Sequence, residues 1–456
     1  MARTRAQAQN FPLAPAVPMP WISRIRALRE LDTGPEKFRD AGGPVTLVHL
    51  GPPRWTPTIA IVTSPQGAHD VLGGSDGTFD KEMSVHVQAR IWAGDNLFNL
   101  TYEPWMPRRR VLQPLFTKQH VALYADRMAE VAEAAATEWL ETDRIDLDWA
   151  TRRLTLRVLG RSLFGVDLSD RSEALGPHLT RVVQFIARRG LQPLQAPAWM
   201  PTPARHRYRT SMAVVADALE DAMAAARTGS ENSAELIRRF FELTDPATGA
   251  AFTGQAIRQE LFAFLFAGHD TTATTLTYGL WQLGRHQKMQ DRVAEEAAAV
   301  GEMPLQAADV AKLPYTVQVI HEALRMCPPA ATVARMAMRD VGVDGYRVPA
   351  GTNVVVGVYA LHHDRALWDN PERFDPDRFD RNRLQLRSRW QYLPFGGGPR
   401  TCIGDHFAML EATLALAGIL RRVRVESVID DFPVKTPFTL VAEGPVPARI
   451  HTRTAA

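Results

Sequence analysis

Ten residues, Phe395-Gly396-Gly397-Gly398-Pro399-Arg400-Thr401-Cys402-Ile403-Gly404, constrain this chain more than any other stretch. Three consecutive glycines followed by proline read as a tight turn, and glycine's missing Cβ lets such a backbone lie close against a flat surface. Arg400 sets a permanent positive charge two residues before the sulfur, able to pair with a carboxylate. From Phe407 to Leu414 the apolar spacing predicts a helix, so Cys402 lies just ahead of a helix N-terminus, where the macrodipole favours an anion. A thiolate held this way suits a metal in a planar cofactor. The plainer alternative is a glycine-rich turn carrying a buried, inert cysteine.

Two further constellations carry chemistry. Glu322 and Arg325 stand three apart in a helical run and share a face, so they can pair. Ala267-Gly268-His269-Asp270-Thr271-Thr272 lies inside a helix predicted from near Gly254 past Leu283. Glycine and paired threonines are locally unfavourable in a helix interior. Missing bulk at Gly268 would leave room for a small molecule such as dioxygen, and the Thr271 hydroxyl can open the backbone ladder to water. Asp270 beside it offers an acid for proton transfer. His269 reads as a packed, hydrogen-bonded histidine and not as a metal ligand.

Phe395, Gly398, Arg400, Cys402 and Gly404 match the fixed positions of the haem-binding loop of the cytochrome P-450 superfamily, and the chain resembles its soluble bacterial members along nearly its whole length. The resemblance implies a mainly α fold with small β-sheets, a leader over 1–20 that is polar and then proline-rich, and one compact body over 21–456. It implies haem b with Cys402 as axial thiolate and Ala267 and Gly268 close to it. O2 is the oxidant, and Asp270 and Thr271 relay the protons that O–O cleavage requires. In this family the Glu322–Arg325 pair is buried and joined by a further arginine. Pro376-Asp377-Arg378-Phe379 points to Arg378, leaving Arg373 solvated. Trp105, Arg109, Arg335 and Arg400 are the expected partners of the haem propionates.

No flavin or iron–sulfur module accompanies these motifs, so electrons are expected from separate proteins, a ferredoxin and ferredoxin reductase, and ultimately from NAD(P)H. Arg108, Arg110, Lys118, Arg381, Arg383, Arg387 and Arg389 would form a basic face for an acidic donor. By the same resemblance the substrate pocket draws on Met83 to Leu100, the loop around Trp199, Phe262, Phe266 and Ala267, Ala331 to Val333, and Phe438 to Leu440. These residues are mostly apolar, which favours a fatty acid, a terpenoid or a steroid-like molecule. Arg188 and Arg189 offer an anchor for a substrate carboxylate, although arginines at a helix end are usually solvated. A peroxide-using haem-thiolate enzyme and a non-catalytic haem sensor or carrier are the competing classes, and the Asp270–Thr271 pair argues against both.

Composition closes off other classes. A net charge of +3 over 456 residues creates no field for nucleic acid. Cys327 and Cys402, the two cysteines, make no disulfide framework, which fits a reducing, cytoplasmic setting. No apolar run is long enough to anchor the chain in a bilayer, and a monomer is expected. Short strands are predicted over Val45–Leu50, Thr58–Val62 and Val354–Val356, short helices over Pro35–Gly42 and from Ser64 to Gly73, and helical periodicity from Glu103 to Leu283. Gly190 to Pro201 interrupts it as a proline-broken connection, where the family carries a lid.

Overall fold

The computed structural model describes residues 11–453 except 53–55, 168, 193–195, 198, 229–234, 247, 302–303 and 385–386. Residues 1–10 of the expected leader, and 193–195 and 198 of the Gly190–Pro201 connection, lie outside the described residues. The architecture is mainly helical with small β-sheets.

One sheet gathers strands from both ends of the chain in the order β1-β2-β8-β5-β3. Strands β1 (Val45–Val48) and β2 (Ile59–Val62) are β-branched runs, as a half-buried pleated surface favours, and pair antiparallel with Val45 opposite Val62. Strand β3 is Phe79–Asp80 and β5 is Thr332–Ala337, while β8 (Asn353–Gly357) lies parallel to β2. Asp80 faces Met336, so it stands beside Arg335, more than 250 positions later in the chain. Strands β6 (Val341–Val343) and β7 (Tyr346–Val348) form a hairpin closed by Asp344-Gly345 at φ 46° and 78°, the left-handed pair that a two-residue turn requires.

Helix α1 (Trp21–Arg29) precedes α2 (Gly34–Gly42), and α3 (Pro65–Leu72) starts where the Ser64 hydroxyl accepts the Gly67 N–H at 3.1 Å. Helices α4 (Ser84–Ala93), α5 (Tyr102–Leu112), α6 (Ala125–Trp139) and α7 (Leu147–Leu159) follow. The expected helical run is broken at β4 (Arg144–Asp146), which pairs with the strand Pro447–Thr452. That strand exists because of a partner some 300 residues away, and no local pattern announces it. Helices α8 (Ser169–Leu191), α9 (Pro203–Thr228) and α10 (Glu235–Glu242) lead to α11 (Gly254–Arg285).

Helix α11 is buried along most of its length, and its Thr253 N-cap accepts from Ala256 N–H at 3.1 Å. Four of its threonines are tolerated because their hydroxyls are satisfied within the helix: Thr271, Thr274, Thr275 and Thr277 donate to the carbonyls four residues back at 2.8–3.0 Å. Against it lies α7, joined by Thr151 to Thr277 at 2.6 Å and by Thr155 to His269 at 3.1 Å. Gly268 permits this approach, since a Cβ there would stand 2.9 Å from Leu159 Cδ2. The expected vacancy at Gly268 thus opens towards α7, and its bulk is absent for helix packing.

Helices α12 (Gln287–Val300), α13 (Pro314–Met326) and α14 (Asp405–Arg422) complete the helical body. On α13, Arg325 grips Glu322 through Nε at 2.7 Å and Nη2 at 2.9 Å, and both side chains are fully buried. Arg325 also donates to the carbonyls of His362 and Pro371 at 2.8 Å. Arg378 Nε stands 3.3 Å from Glu322 Oε1, and the Asp375 N–H donates to that oxygen at 2.9 Å. Arg373 is exposed. The pair therefore ties α13 to the irregular 362–378 segment, and losing one buried partner of such a pair costs about 3–5 kcal/mol.

Candidate haem-thiolate site

The cysteine loop is held open by its own backbone. Gly396 and Gly398 adopt φ of 71° and 70°, and a Cβ on Gly398 would overlap the Leu72 carbonyl at the end of α3. Cys402 N–H donates to Phe395 O at 2.9 Å, and the Thr401 hydroxyl to the same oxygen at 3.2 Å. Arg109 of α5 donates to Thr401 O at 2.9 Å. Gly404, the N-cap of α14, aims its N–H at the Cys402 sulfur, as the helix-terminus reading anticipates. Cys402 is accessible although protein surrounds it, as for a side chain lining an internal hollow. Burial pushes the free thiol up to about 11 despite the Gly404 N–H, so coordination to a metal is what would hold it as thiolate.

Around this hollow the chain collects positive charge. Arg400 donates to Leu100 O at 2.8 Å and to Asp80 Oδ1 at 2.9 Å, with its guanidinium 4.5 Å over the Trp105 ring. Arg335, 6% exposed, donates to its neighbour's carbonyl, Ala334 O, at 2.8 Å. Burial lowers both guanidiniums to about 10. Lys81 is buried among them and bonds Phe98 O; burial first, then Arg335 and Arg400, hold its ammonium well below the usual range. His86 is buried nearby with Nδ1 unpartnered, and burial with the same cations keeps it neutral. Asp80 is the carboxylate that answers this group. A dianionic planar cofactor fits: its two carboxylates would meet Lys81, Arg109, Arg335, Arg400, Trp105 and His86, and its metal would meet Cys402. Lys81 and His86 were missed in the sequence, where nothing local marks them.

On the opposite wall, α11 is half-buried from Phe266 to Thr271 except at His269, and buried on either side. Ala267, Thr271 and Asp270 belong to this strip. The Asp270 carboxylate is taken by Arg152 of α7 on one oxygen and by the Thr439 hydroxyl on the other. Burial alone would raise Asp270, but Arg152 and these hydrogen bonds hold it below the ordinary carboxylate range. Burial, then Arg152, push His269 down to about 4, so it is neutral. Glu411 of α14 is fully buried against Thr272, and burial drives its carboxyl well above the ordinary range. Neither Arg152 nor Glu411 was anticipated.

The apolar wall is built from three separate segments. Phe98, Phe266 and Phe438 meet with ring centroids 6.4, 5.9 and 5.6 Å apart. Phe262 and Ala331 are buried and Val333 half-buried. Trp199, expected near the pocket, is 79% exposed and faces solvent. Arg188 is exposed, while Arg189 donates to Gln88 Oε1 at 3.0 Å and lies over the Trp92 ring, so it fastens α8 to α4. Two members of the expected basic face also serve elsewhere. Arg108 is buried, and Arg387 is half-buried over Trp368; Arg110, Lys118, Arg381, Arg383 and Arg389 are exposed.

Comparison with known proteins agrees with this geometry. The Cytochrome P450 family model matches residues 15–450. The chain is 34% identical to cyclooctatin synthase of Streptomyces melanosporofaciens over 77% of each chain. It is 31% identical to pentalenene oxygenase of Streptomyces avermitilis over 86% of this chain and 87% of that one. The crystal structure of the cytochrome P450DA heme domain superposes with a TM-score of 0.83 at 24% identity, covering 97% of this chain and 98% of that one. The chain belongs to the cytochrome P450 family. It is a monooxygenase of the haem-thiolate type, using O2, with a hydrophobic substrate and redox partners as the family requires. Among the described residues no helix is long and apolar enough to cross a membrane.

Replacing the sulfur tests the ligand. Cys402→Ser is expected to lose the red-shifted Soret band of the ferrous–CO complex, read on purified protein by difference spectroscopy; a variant that keeps the wild-type band rules Cys402 out as the axial ligand.

Proposed function

We propose that this chain hydroxylates an apolar, terpenoid-sized molecule, with Cys402 as the residue that would ligate the haem iron through its sulfur and electrons delivered by a separate ferredoxin. The observation that carries the substrate class is the three-ring wall of Phe98, Phe266 and Phe438, contributed by separate segments and backed by the buried Phe262. Phenyl rings set edge-on and tilted to one another recognise hydrocarbon by contact area and exclude water. Relatives named cyclooctat-9-en-7-ol 5-monooxygenase and pentalenene oxygenase favour a terpenoid over a fatty acid or a steroid-like molecule.

Bound haem supplies reductive activation of O2 and transfer of one oxygen atom to a C–H bond. The chain's own residues hold the substrate against the phenyl wall and manage protons. The Thr271 hydroxyl, now donating to Ala267 O at 2.8 Å, can turn from that carbonyl towards the hollow. Asp270, ionised and clamped by Arg152 and Thr439, takes up a proton only after one partner releases it. That release is the gate on proton delivery.

The exposed Arg110, Lys118, Arg381, Arg383 and Arg389 suit an acidic ferredoxin, reduced in turn by its reductase at the expense of NAD(P)H. Such docking weakens as salt rises. A cytoplasmic location accords with these partners and with free thiols.

Thr271→Ala should divert electrons from product to peroxide or excess water, measured as product formed per NAD(P)H consumed; unchanged coupling removes Thr271 from the relay. Titrating the ferric holoenzyme with terpenes, fatty acids and steroids should give a shift of the Soret band to shorter wavelength for terpenes first. A shift confined to fatty acids or steroids overturns the terpenoid assignment.

A further inference from the structure

Glu260 lies on α11, two turns before Ala267, with its carboxylate completely buried. Each oxygen meets a donor. Leu97 N–H bonds Oε2 at 3.0 Å, and Arg108 Nη1 bonds Oε1 at 3.1 Å. Arg108, from α5, also reaches Asp245 Oδ2 with Nη2 at 3.2 Å and lies 5.2 Å over the Phe252 ring. The charged and titratable groups facing Glu260 are thus Arg108 from α5 and Asp245 from the turn that precedes α11, while the segment after α4 presents the Leu97 N–H.

That segment is a unit. Asn96 N–H donates to Asn99 Oδ1 at 3.1 Å, Phe98 N–H to Asn96 Oδ1 at 3.1 Å, and Asn99 Nδ2 to Gly94 O at 2.8 Å. Gly94, at φ 76°, lies so close to Gln259 of α11 that a Cβ there would overlap its side-chain amide. What rides on this unit is Phe98, the next residue after the one that Glu260 holds, and its ring closes the apolar wall against Phe266 and Phe438.

We propose that Glu260 is a positioning residue for substrate selection: its carboxylate fixes the Gly94–Leu100 segment and thereby the Phe98 ring, and a proton on Glu260 loosens that part of the wall. The inference rests on the reading of the three phenyl rings as the substrate wall. Its chemistry is a matter of donors and acceptors. A carboxylate accepts strongly on both oxygens, whereas a carboxylic acid carries hydrogen on one of them, and that oxygen keeps acceptor capacity but accepts more weakly. One of the two bonds is then weakened. Leu97 N–H is the neutral, weaker donor, and charge-assisted bonds are the stronger ones, so the loop contact yields first.

Burial pushes the Glu260 carboxyl up to about 7, against the pull of the Leu97 N–H and Arg108. The folded value lies above the ordinary 4.5, so the protonated form, with the loosened wall, prevails below about 7, and the ionised, fastened form above it. By linkage, the stability that goes with the protonated form is complete below the ordinary value and is lost as pH rises through the folded one. The fastened wall is the better ordered state and the less stable one.

The test uses the ferric holoenzyme and two probes that coordinate iron through an imidazole nitrogen, 4-phenylimidazole and imidazole, titrated by the Soret shift with each concentration expressed as free base. The phenyl group reports on the wall, and imidazole reports on the haem alone. In wild type the ratio of the two affinities should change several-fold between about pH 6 and about pH 8.5, with a midpoint near the Glu260 value of about 7. Glu260→Gln keeps the shape but cannot ionise, and should flatten the profile; Phe98→Ala should flatten it and weaken 4-phenylimidazole while leaving imidazole unchanged. A Glu260→Gln protein that retains the wild-type profile overturns the proposal. So does a flat wild-type profile, which decides the matter even if Glu260→Gln does not fold. If Phe98→Ala leaves 4-phenylimidazole binding unaltered, the phenyl-wall reading fails first, and the role of Glu260 with it.

Discussion

The interaction on which the rest of this structure depends is an imbalance. Lys81, Arg109, Arg335 and Arg400 come together with Asp80 as the answering carboxylate. Taking one charge out of water costs several kcal/mol unless an opposite charge compensates it, and burial here lowers the proton affinity of each of these cations. A planar cofactor with two carboxylates settles that imbalance, and the four cations arrive on four different elements. Strand pairing brings Asp80 beside Arg335, α5 carries Arg109, and the cysteine loop carries Arg400. The same side chain that would hold a propionate thus also fixes the loop that presents Cys402, so cofactor binding and thiolate placement are one event.

The proton inventory of the far wall follows from where charge is already balanced. Asp270 is ionised because Arg152 faces it, His269 is neutral because burial and Arg152 both oppose its charge, and burial drives the Glu411 carboxyl well up against the pull of Thr272. Thr271 follows Asp270 on the same helix, its hydroxyl donating to Ala267 O. The close contact of α7 with α11, which Gly268 allows, is what brings Arg152 to Asp270. A packing feature therefore sets a chemical one.

The sequence was legible where the signal is local. The cysteine loop declares itself through glycines at left-handed positions, α3 and α11 through their Ser64 and Thr253 caps, and the Glu322–Arg325 pair through helical spacing. It was not legible where a residue's meaning comes from a distant partner. Strand β4 is made by residues 447–449, and Lys81 gains its role only beside Arg335 and Arg400. Arg108 looks like one of three successive arginines on a basic surface and is instead buried between Glu260 and Asp245. Gly268 was expected to leave room for a small molecule, whereas the space beside it is filled by Leu159 of α7, and periodicity alone does not say which neighbour takes it.

The central claim, that buried cations are gathered to receive two carboxylates, is tested most directly by reconstituting the cofactor-free protein with haem and with haem dimethyl ester, which keeps the iron and the ring but carries neither negative charge. The account predicts that haem binds far more tightly and raises the thermal midpoint, while the diester binds weakly and raises it little. Equal affinity and equal stabilisation by the two would contradict it and leave the ring contacts and Cys402 as the whole of the site.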